Sequence, residues 1–377
     1  MSGLYLHIPF CKQACHYCDF HFSTNQDRKA EMLHAFVREI ELQKDYLPKK
    51  PLDSVYFGGG TPSLLSDKEL SLLMEAIQRN FSISSSAEIT LEANPDDLTK
   101  EKLLLLKESG INRLSIGIQS FDDDVLQYLN RAHNTEAAQN CFGLARDAGF
   151  KNISIDLIYA IPNQDHQAWE KNIDRALSLK PDHISSYSLT IEAKTAFGRW
   201  AATGKLKPQD DEFAATQLIL LVKKLEESGF EQYEISNFAL PQFQSKHNSS
   251  YWKQQPYLGI GPSAHSYNGN SRQFNINNNS LYLKSLEANT IPATSEVLTQ
   301  EEMINDYLLT TLRTSWGASL LSLKENFNFN LMKEHESYIH SLIKNNLANI
   351  ENETLILTKA GKLLADKIAS DLFVIKP

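Results

Sequence analysis

Three cysteines, Cys11, Cys15 and Cys18, fall within eight positions of the stretch "LHIPFCKQACHYCDF" (6–20), close behind a proline and near the start of the chain. A CxxxCxxC loop can turn three sulfurs toward one point, which is what a soft metal centre requires. Two centres compete for this loop. Structural zinc takes four ligands, and the fourth would come from His7, His16 or His21 nearby. A cube of four irons also has four corners, and three cysteines leave one iron for something that is not protein. Thiols clustered without a metal would be an oxidation liability in a cell. Cys141 stands alone in a helical pattern and reads as core packing.

The cysteine loop follows a strand-like run at 3–8. Further runs recur at 53–57, 87–93, 112–118, 152–158 and 183–190, separated by amphipathic patterns. Over 28–46, Met32, Phe36, Val37 and Ile40 share one helical face. Ser66 and Glu69 form a capping box, and Gly110, Gly149 and Gly229 close helical patterns as left-handed residues would. This alternation predicts an α/β fold with a parallel sheet, either doubly wound or an incomplete barrel, and both put chemistry at the C-terminal strand ends. The expected organisation is a main domain over 1–240, a loop-rich connection over 241–298, and a small domain over 299–377. Within the small domain, a pair of short strands around "ENE", flanked by helices, suggests a winged helix.

Lys and Arg total 37 against 46 Asp and Glu, and no dense basic run breaks the net charge of −9, so nucleic acid is not the expected partner. The winged-helix-like domain is therefore expected to pack or to meet a protein. No uninterrupted apolar run reaches the length of a membrane span, and the N-terminus lacks a secretory pattern, so the expected location is the cytoplasm. Four cysteines in a chain of this length and location do not make a disulfide framework.

The stretch "YLHIPFCKQACHYCDF", with Tyr5, the "HIPFC" lead-in and Tyr17 inside the motif, closely resembles the cluster loop of radical S-adenosylmethionine (SAM) proteins. The resemblance is to the group that contains oxygen-independent coproporphyrinogen oxidases and HemW-type heme chaperones, and it runs over essentially the whole chain. It implies an incomplete six-stranded barrel and a 4Fe–4S cluster whose open iron chelates the amine and carboxylate of SAM. In that family, cluster reduction breaks a carbon–sulfur bond to give a 5′-deoxyadenosyl radical. The positions that match the family's cofactor contacts are Tyr5, Gly59, Gly60 and Thr61 of "YFGGGTPS", Glu92, Gln119, Arg131 and Asp156. Side chains at Gly59 and Gly60 would obstruct a backbone that approaches the methionine group.

The two branches of the group differ in chemistry. The oxidases carry a further cysteine two residues beyond the third ligand and a longer leading segment; here that position is Phe20 and ten residues precede Cys11. Oxidative decarboxylation of a porphyrinogen is the alternative to a chaperone role, and this departure counts against it. "KHNSSYW" holds His247, Asn248, Tyr251 and Trp252 in the HNxxYW pattern of the chaperones, which implies His247 as a heme ligand; His265 in "GPSAHSYNG" ranks behind it. Implied partners are heme, a heme-accepting protein of the membrane-associated kind, a reductant for the cluster and, as one option, a second copy of the chain.

Overall fold

A computed structural model of the chain describes residues 2–375. Among them, six parallel strands follow one another in chain order: β1 (Gly3–Ile8), β2 (Leu52–Gly59), β3 (Ile83–Ala93), β4 (Arg113–Gln119), β5 (Ile153–Tyr159) and β6 (His183–Ser188). That order has no reversal within the six, so the singly wound barrel is realised rather than the doubly wound sheet. β1 and β6 pair with other strands instead of each other, and the barrel stays open.

Each strand alternates between two environments. Leu4, Leu6 and Ile8, Val55 and Phe57, Ile89 and Leu91, Leu114 and Ile116, and Ile153 and Ile155 are buried in the main apolar core with helices that include Lys29–Leu42 and Asp67–Asn80. The intervening positions are Tyr5 and His7, Ser54 and Tyr56, Glu88 and Glu92, Arg113 and Ser115, Ser154 and Asp156, and His183 and Ser185. One face of the sheet is thus greasy, while the other is polar and able to bind. The capping box at Ser66 and Glu69 is present, and Gly110, Gly149 and Gly229 have positive φ.

The stretch 241–298 is not loop-rich. It contributes β9 (Tyr257–Ile260), β10 (His265–Tyr267), β11 (Ser271–Asn275) and β12 (Ala293–Val297), following the short β7 (Glu231–Gln232) and β8 (Asn237–Ala239) on the other edge. β9 pairs in parallel with β1, so a single sheet runs β12-β11-β10-β9-β1-β2-β3-β4-β5-β6-β8-β7, and position 240 does not divide it. Strands of three to five residues among polar neighbours carry too little periodicity to be read alone.

The C-terminal region has its own core, which includes Ile304, Leu308, Leu323, Ile339, Leu355 and Ile368. Helices Gln300–Leu312, Leu320–Phe327 and Leu331–Lys344 accompany a three-stranded sheet of 318–319, 354–357 and 348–351. Asn352 and Glu353, both with positive φ, form the two-residue hairpin turn of the wing.

Candidate functional site

The cysteine loop leaves β1 and is held at both sides. Cys11 N–H donates to Ser23 O at 3.1 Å, and Lys12 forms ion pairs with Asp96 (2.7 Å) and Asp97. The Gln13 side chain donates to Asn130 O and Asn130 donates back to Ala14 O, each at 2.7 Å. His16 donates through its backbone to Leu129 O, and its Nδ1 stands 2.9 Å from Tyr128 O. The loop is therefore pinned onto the turns after β3 and β4 before any ligand arrives.

Cys11, Cys15 and Cys18 line one cavity of about 480 Å3 at the C-terminal ends of the strands. Gly59, Gly60, Thr61, Glu92, Gln119, Arg131 and Asp156 line the same cavity. Sequence reasoning passed over Asn94, Ser115 and Tyr187, which also face it, as does Asn248 of the HNxxYW pattern. The signal for Asn94 was its place directly after β3, beside Glu92 on the adjoining inward position.

Arg131 organises the cysteine side. Its Nη1 lies 3.5 Å from Cys15 Sγ and 3.4 Å from the Tyr17 hydroxyl, while Nη2 donates to Asn94 Oδ1 at 2.6 Å and Gly117 O at 2.7 Å. Burial raises the Cys11 thiol, and it pushes Cys18 up to about 12. A cationic centre reverses that tendency, because metal ligands must be thiolates.

The opposite wall is acidic. Glu92 accepts from the Tyr56 hydroxyl at 2.8 Å and from Gly59 N–H at 3.2 Å. Burial pushes Glu92 up to about 7, against the Tyr56 hydrogen bond and with the help of Asp156. Asp156, which accepts from Ser115 Oγ at 3.2 Å, is pushed up to about 6 by burial, against the pull of Arg113. Gln119 has φ +67°, a left-handed conformation uncommon outside glycine, at a register shift between β4 and β5. That irregularity is where the strand ends and its amide meets the cavity.

The glycines have a second reason to be glycine. A Cβ on Gly60 would come within 2.7 Å of Phe10 O and 2.8 Å of Ile8 O, and one on Gly59 (φ +105°) within 2.8 Å of the His7 ring. Protein packing alone forbids side chains there.

The donor set fits a cluster better than a single ion. Among the described residues no three His, Cys, Asp or Glu side chains come close enough to share one metal ion. The three thiols surround a common space, as ligands to separate irons would. The histidines considered as fourth zinc ligands are turned elsewhere: His7 bonds Tyr5 and His21 O, His16 bonds Tyr128 O, and His21 Nε2 bonds Asn279 Oδ1 at 2.7 Å.

Two expected site residues lie outside this cavity. Tyr5 sits behind it, stacked on Tyr56 and lining a neighbouring cavity. His247 is 1% exposed, with Nδ1 2.8 Å from Ser54 Oγ and Nε2 2.7 Å from the Tyr251 hydroxyl. Its ring stacks on Tyr56 at 4.8 Å, and burial, with a smaller push from Arg113, lowers its pKa to about 3. With both nitrogens bonded inside the protein, His247 offers no lone pair to an outside iron in this conformation. In this conformation it supports the packing of its helix on β2. Glu88 fixes its helix by accepting from Lys246 N–H and His247 N–H at 3.1 Å each.

Comparison with known proteins adds to this geometry. Residues 5–176 match the Radical SAM superfamily. The heme chaperone HemW of Bacillus subtilis (strain 168) is 38% identical over 372 residues, covering 98% of this chain and 98% of that protein. The heme chaperone HemW of Mycobacterium tuberculosis H37Rv is 32% identical, covering 98% of this chain and 94% of its own. Among solved structures, the coproporphyrinogen III oxidase HemN of Escherichia coli, a radical SAM enzyme, superposes with a TM-score of 0.85 at 24% identity, covering 99% of this chain and 90% of that one. The last likeness concerns the fold.

Proposed function

Because this chain belongs to the HemW family within the Radical SAM superfamily, we propose that it is a heme chaperone that holds a 4Fe–4S cluster and SAM and passes heme to an acceptor protein. The observation that carries this reading is likeness to a heme chaperone along 98% of the chain, which takes in the HNxxYW helix and the small domain as well as the barrel. In the proposal Cys11, Cys15 and Cys18 hold the cluster. Gly59, Gly60, Thr61, Glu92, Gln119, Arg131 and Asp156 face SAM, and their common placement on the thiol-lined cavity supports that assignment. Tyr5 acts from behind by packing against Tyr56. A reduced cluster held by these three thiolates would supply the electron for carbon–sulfur cleavage of SAM.

The chain's own residues prepare the site. Arg131 puts a cation 3.5 Å from Cys15 Sγ. Glu92 and Asp156 supply acceptors on the far wall, suited to the ammonium and hydroxyl groups of SAM. Phe20, 71% exposed, stands where the oxidases place their additional cysteine, and a phenyl group can neither ligate iron nor carry a proton. The acceptor is proposed to be a membrane-associated heme protein and the location cytosolic, with an external reductant and with homodimerisation as an option. Among the described residues no helix is long and apolar enough to cross a membrane.

Anaerobically reconstituted full-length protein offered hemin and coproporphyrinogen separately tests the proposal. Saturable hemin binding without formation of protoporphyrinogen is expected. Enzyme-like turnover of coproporphyrinogen would replace the chaperone reading with the oxidase.

A further inference from the structure

A separate cavity, of about 260 Å3, lies at the ends of β4 and β5 against the helices His166–Ser178 and Asp211–Glu227. Of its lining residues only Ile158 also lines the thiol-lined cavity. The volume falls below the roughly 300–1,000 Å3 of drug-sized sites. It has room for about nine waters at about 30 Å3 each, so a ligand here is small. We propose that this cavity binds a small anion, a carboxylate or a phosphate, and that its occupation tightens the SAM site. The first half stands on this cavity alone, and the second rests on the SAM assignment above.

Four side chains bring unspent donors to this space. Asn172 is 8% exposed, and its Oδ1 accepts from Phe121 N–H at 2.7 Å. That bond fixes the orientation of the amide and leaves Nδ2 without a partner among the described residues. Gln217, 1% exposed, accepts from Ala160 N–H at 2.7 Å, while its Nε2 reaches Asp165 O only at 3.5 Å. Arg175 donates through Nη1 to Phe121 O and keeps its remaining N–H groups. Lys171, one turn earlier on the same helix, is exposed and has no ion pair or hydrogen bond among the described residues.

The neighbouring acids do not satisfy these donors. Asp122 Oδ1 accepts from Asp124 N–H at 3.0 Å and Val125 N–H at 3.2 Å, and Asp165 Oδ1 accepts from Ala168 N–H at 2.7 Å. Both carboxylates line the cavity, but each is set against a helix N-terminus that offsets its charge. Asp123 accepts from Thr135 N–H and Thr135 Oγ1 at 2.7 Å each. On the other flank of the helix, Glu170 and Asp174 pair with Lys224 at 3.0 and 2.6 Å. Lys171 and Arg175 are thus left without an acid of their own, beside two buried amides. Donors of this kind, two of them cationic, match the oxygens of a carboxylate or phosphate.

The cavity also touches the backbone that carries the SAM wall. β4 ends at Gln119 (φ +67°), and the next two residues, Ser120 and Phe121, line this cavity. β5 carries Asp156 and Ile158 and leaves through Ala160 (φ +57°), a left-handed conformation on a residue that has a Cβ. Asn172 holds the first of these exits at Phe121 N–H, and Gln217 holds the second at Ala160 N–H. An anion bonded to both amides ties the two exits together through one ligand. That restricts Gln119 and Asp156, and SAM then binds to a wall already ordered.

The test is calorimetric titration of the full-length protein with inorganic phosphate and, separately, with succinate, at ionic strength held constant with sodium chloride. Wild type is compared with Lys171→Ala and with Ala168→Phe, which fills the cavity from its helix; thermal melting without either anion checks folding. Wild type is expected to bind at least one of the two, and the tighter one names the group recognised. Lys171→Ala should weaken binding at least about tenfold, the loss of one charge-assisted contact, and Ala168→Phe should abolish it. In equilibrium dialysis of SAM against reconstituted wild type, the anion should raise SAM affinity at least about fivefold. Absence of binding to wild type, or wild-type affinity in either folded variant, would overturn the site; the exposed Lys171 decides alone if Ala168→Phe does not fold. Binding at the site with unchanged SAM affinity would overturn the coupling only. Uptake of no SAM at all by reconstituted wild type would remove the SAM reading and the coupling, and leave the anion site standing.

Discussion

The Nε2 atom of His247 and the hydroxyl of Tyr251 stand 2.7 Å apart across one helical turn, inside the protein. Ser54 Oγ completes the histidine's bonding at 2.8 Å, so the imidazole joins β2 to the wall of the neighbouring cavity that Tyr5 and Tyr251 line. Replacement by alanine removes the partner of the buried Ser54 hydroxyl and of the half-buried Tyr251 hydroxyl, and opens a void between Tyr56 and Tyr251. His247→Ala should cost about 2–4 kcal/mol in urea unfolding. Hemin binding should weaken as the wall loosens, while the Soret position of bound hemin stays that of the wild type. A displaced Soret band in a folded His247→Ala protein would make His247 the iron ligand.

Alanine at Cys11, Cys15 or Cys18 should each abolish the cluster, because the loop contains no spare thiol and no histidine lines the cavity. Iron and sulfide in anaerobically reconstituted protein should fall to background in all three. Cys141 is 2% exposed in the core, its thiol bonded to Ala138 O at 3.2 Å. Cys141→Ala should keep wild-type iron and sulfide and lose about 1 kcal/mol of stability. Iron lost from a folded Cys141→Ala protein would mean a fourth protein ligand.

The barrel and its cavity were legible because each strand is long enough to show a period. Glu88, Thr90 and Glu92 in β3 alternate with Ile89 and Leu91, and Arg113 and Ser115 in β4 alternate with Leu114 and Ile116. That places Glu92 and Asp156 on one inward face without reference to coordinates. β9 to β12 were not legible, since strands this short gain their stability from pairing with β1 and with each other rather than from pattern. The bonding of His247 was hidden for a different reason. A motif shows that a histidine matters, whereas the partners of its two nitrogens, Ser54 and Tyr251, depend on a packing of β2 against the helix that sequence spacing does not encode.

Glu92 and Asp156 make the stability of cluster-free protein depend on pH. Burial raises Glu92 from 4.5 to about 7 and Asp156 from 3.8 to about 6. Between the ordinary and the raised values the folded protein holds protons that the unfolded chain has lost. The contribution is therefore present at low pH, declines as pH rises from about 4 to 7, and is gone above. The two carboxyls titrate as a pair, so one broad decline is expected. Urea midpoints of apoprotein at pH 5.5 and 8 should show it, set against the protein's other titrations by comparison with Glu92→Gln. That variant should show a smaller decline, confined to below about pH 6. An identical pH slope in Glu92→Gln would mean that Glu92 is ionised throughout.

Glu39 joins the helix Lys29–Leu42 to the strands beyond β1. Its buried carboxylate accepts from Gly261 N–H at 2.8 Å, Asn275 Nδ2 at 2.6 Å, the Tyr282 hydroxyl at 2.5 Å and Gln43 Nε2 at 3.1 Å. Four donors converge on two oxygens, so Glu39→Ala strands Gly261 N–H, the Tyr282 hydroxyl and the Gln43 amide, while Asn275 Nδ2 keeps its bond to Gly261 O at 2.8 Å. The expected loss is at least about 3 kcal/mol. Glu39→Gln should cost less but not nothing, because its amide nitrogen can accept from none of the four. The damage should be local: amide hydrogen exchange should rise over 257–275 while strands β2 to β5 stay protected. The iron content of the cluster should be retained in Glu39→Gln. Loss of iron together with exchange in β2 to β5 would mean that Glu39 supports the whole barrel rather than the sheet extension alone.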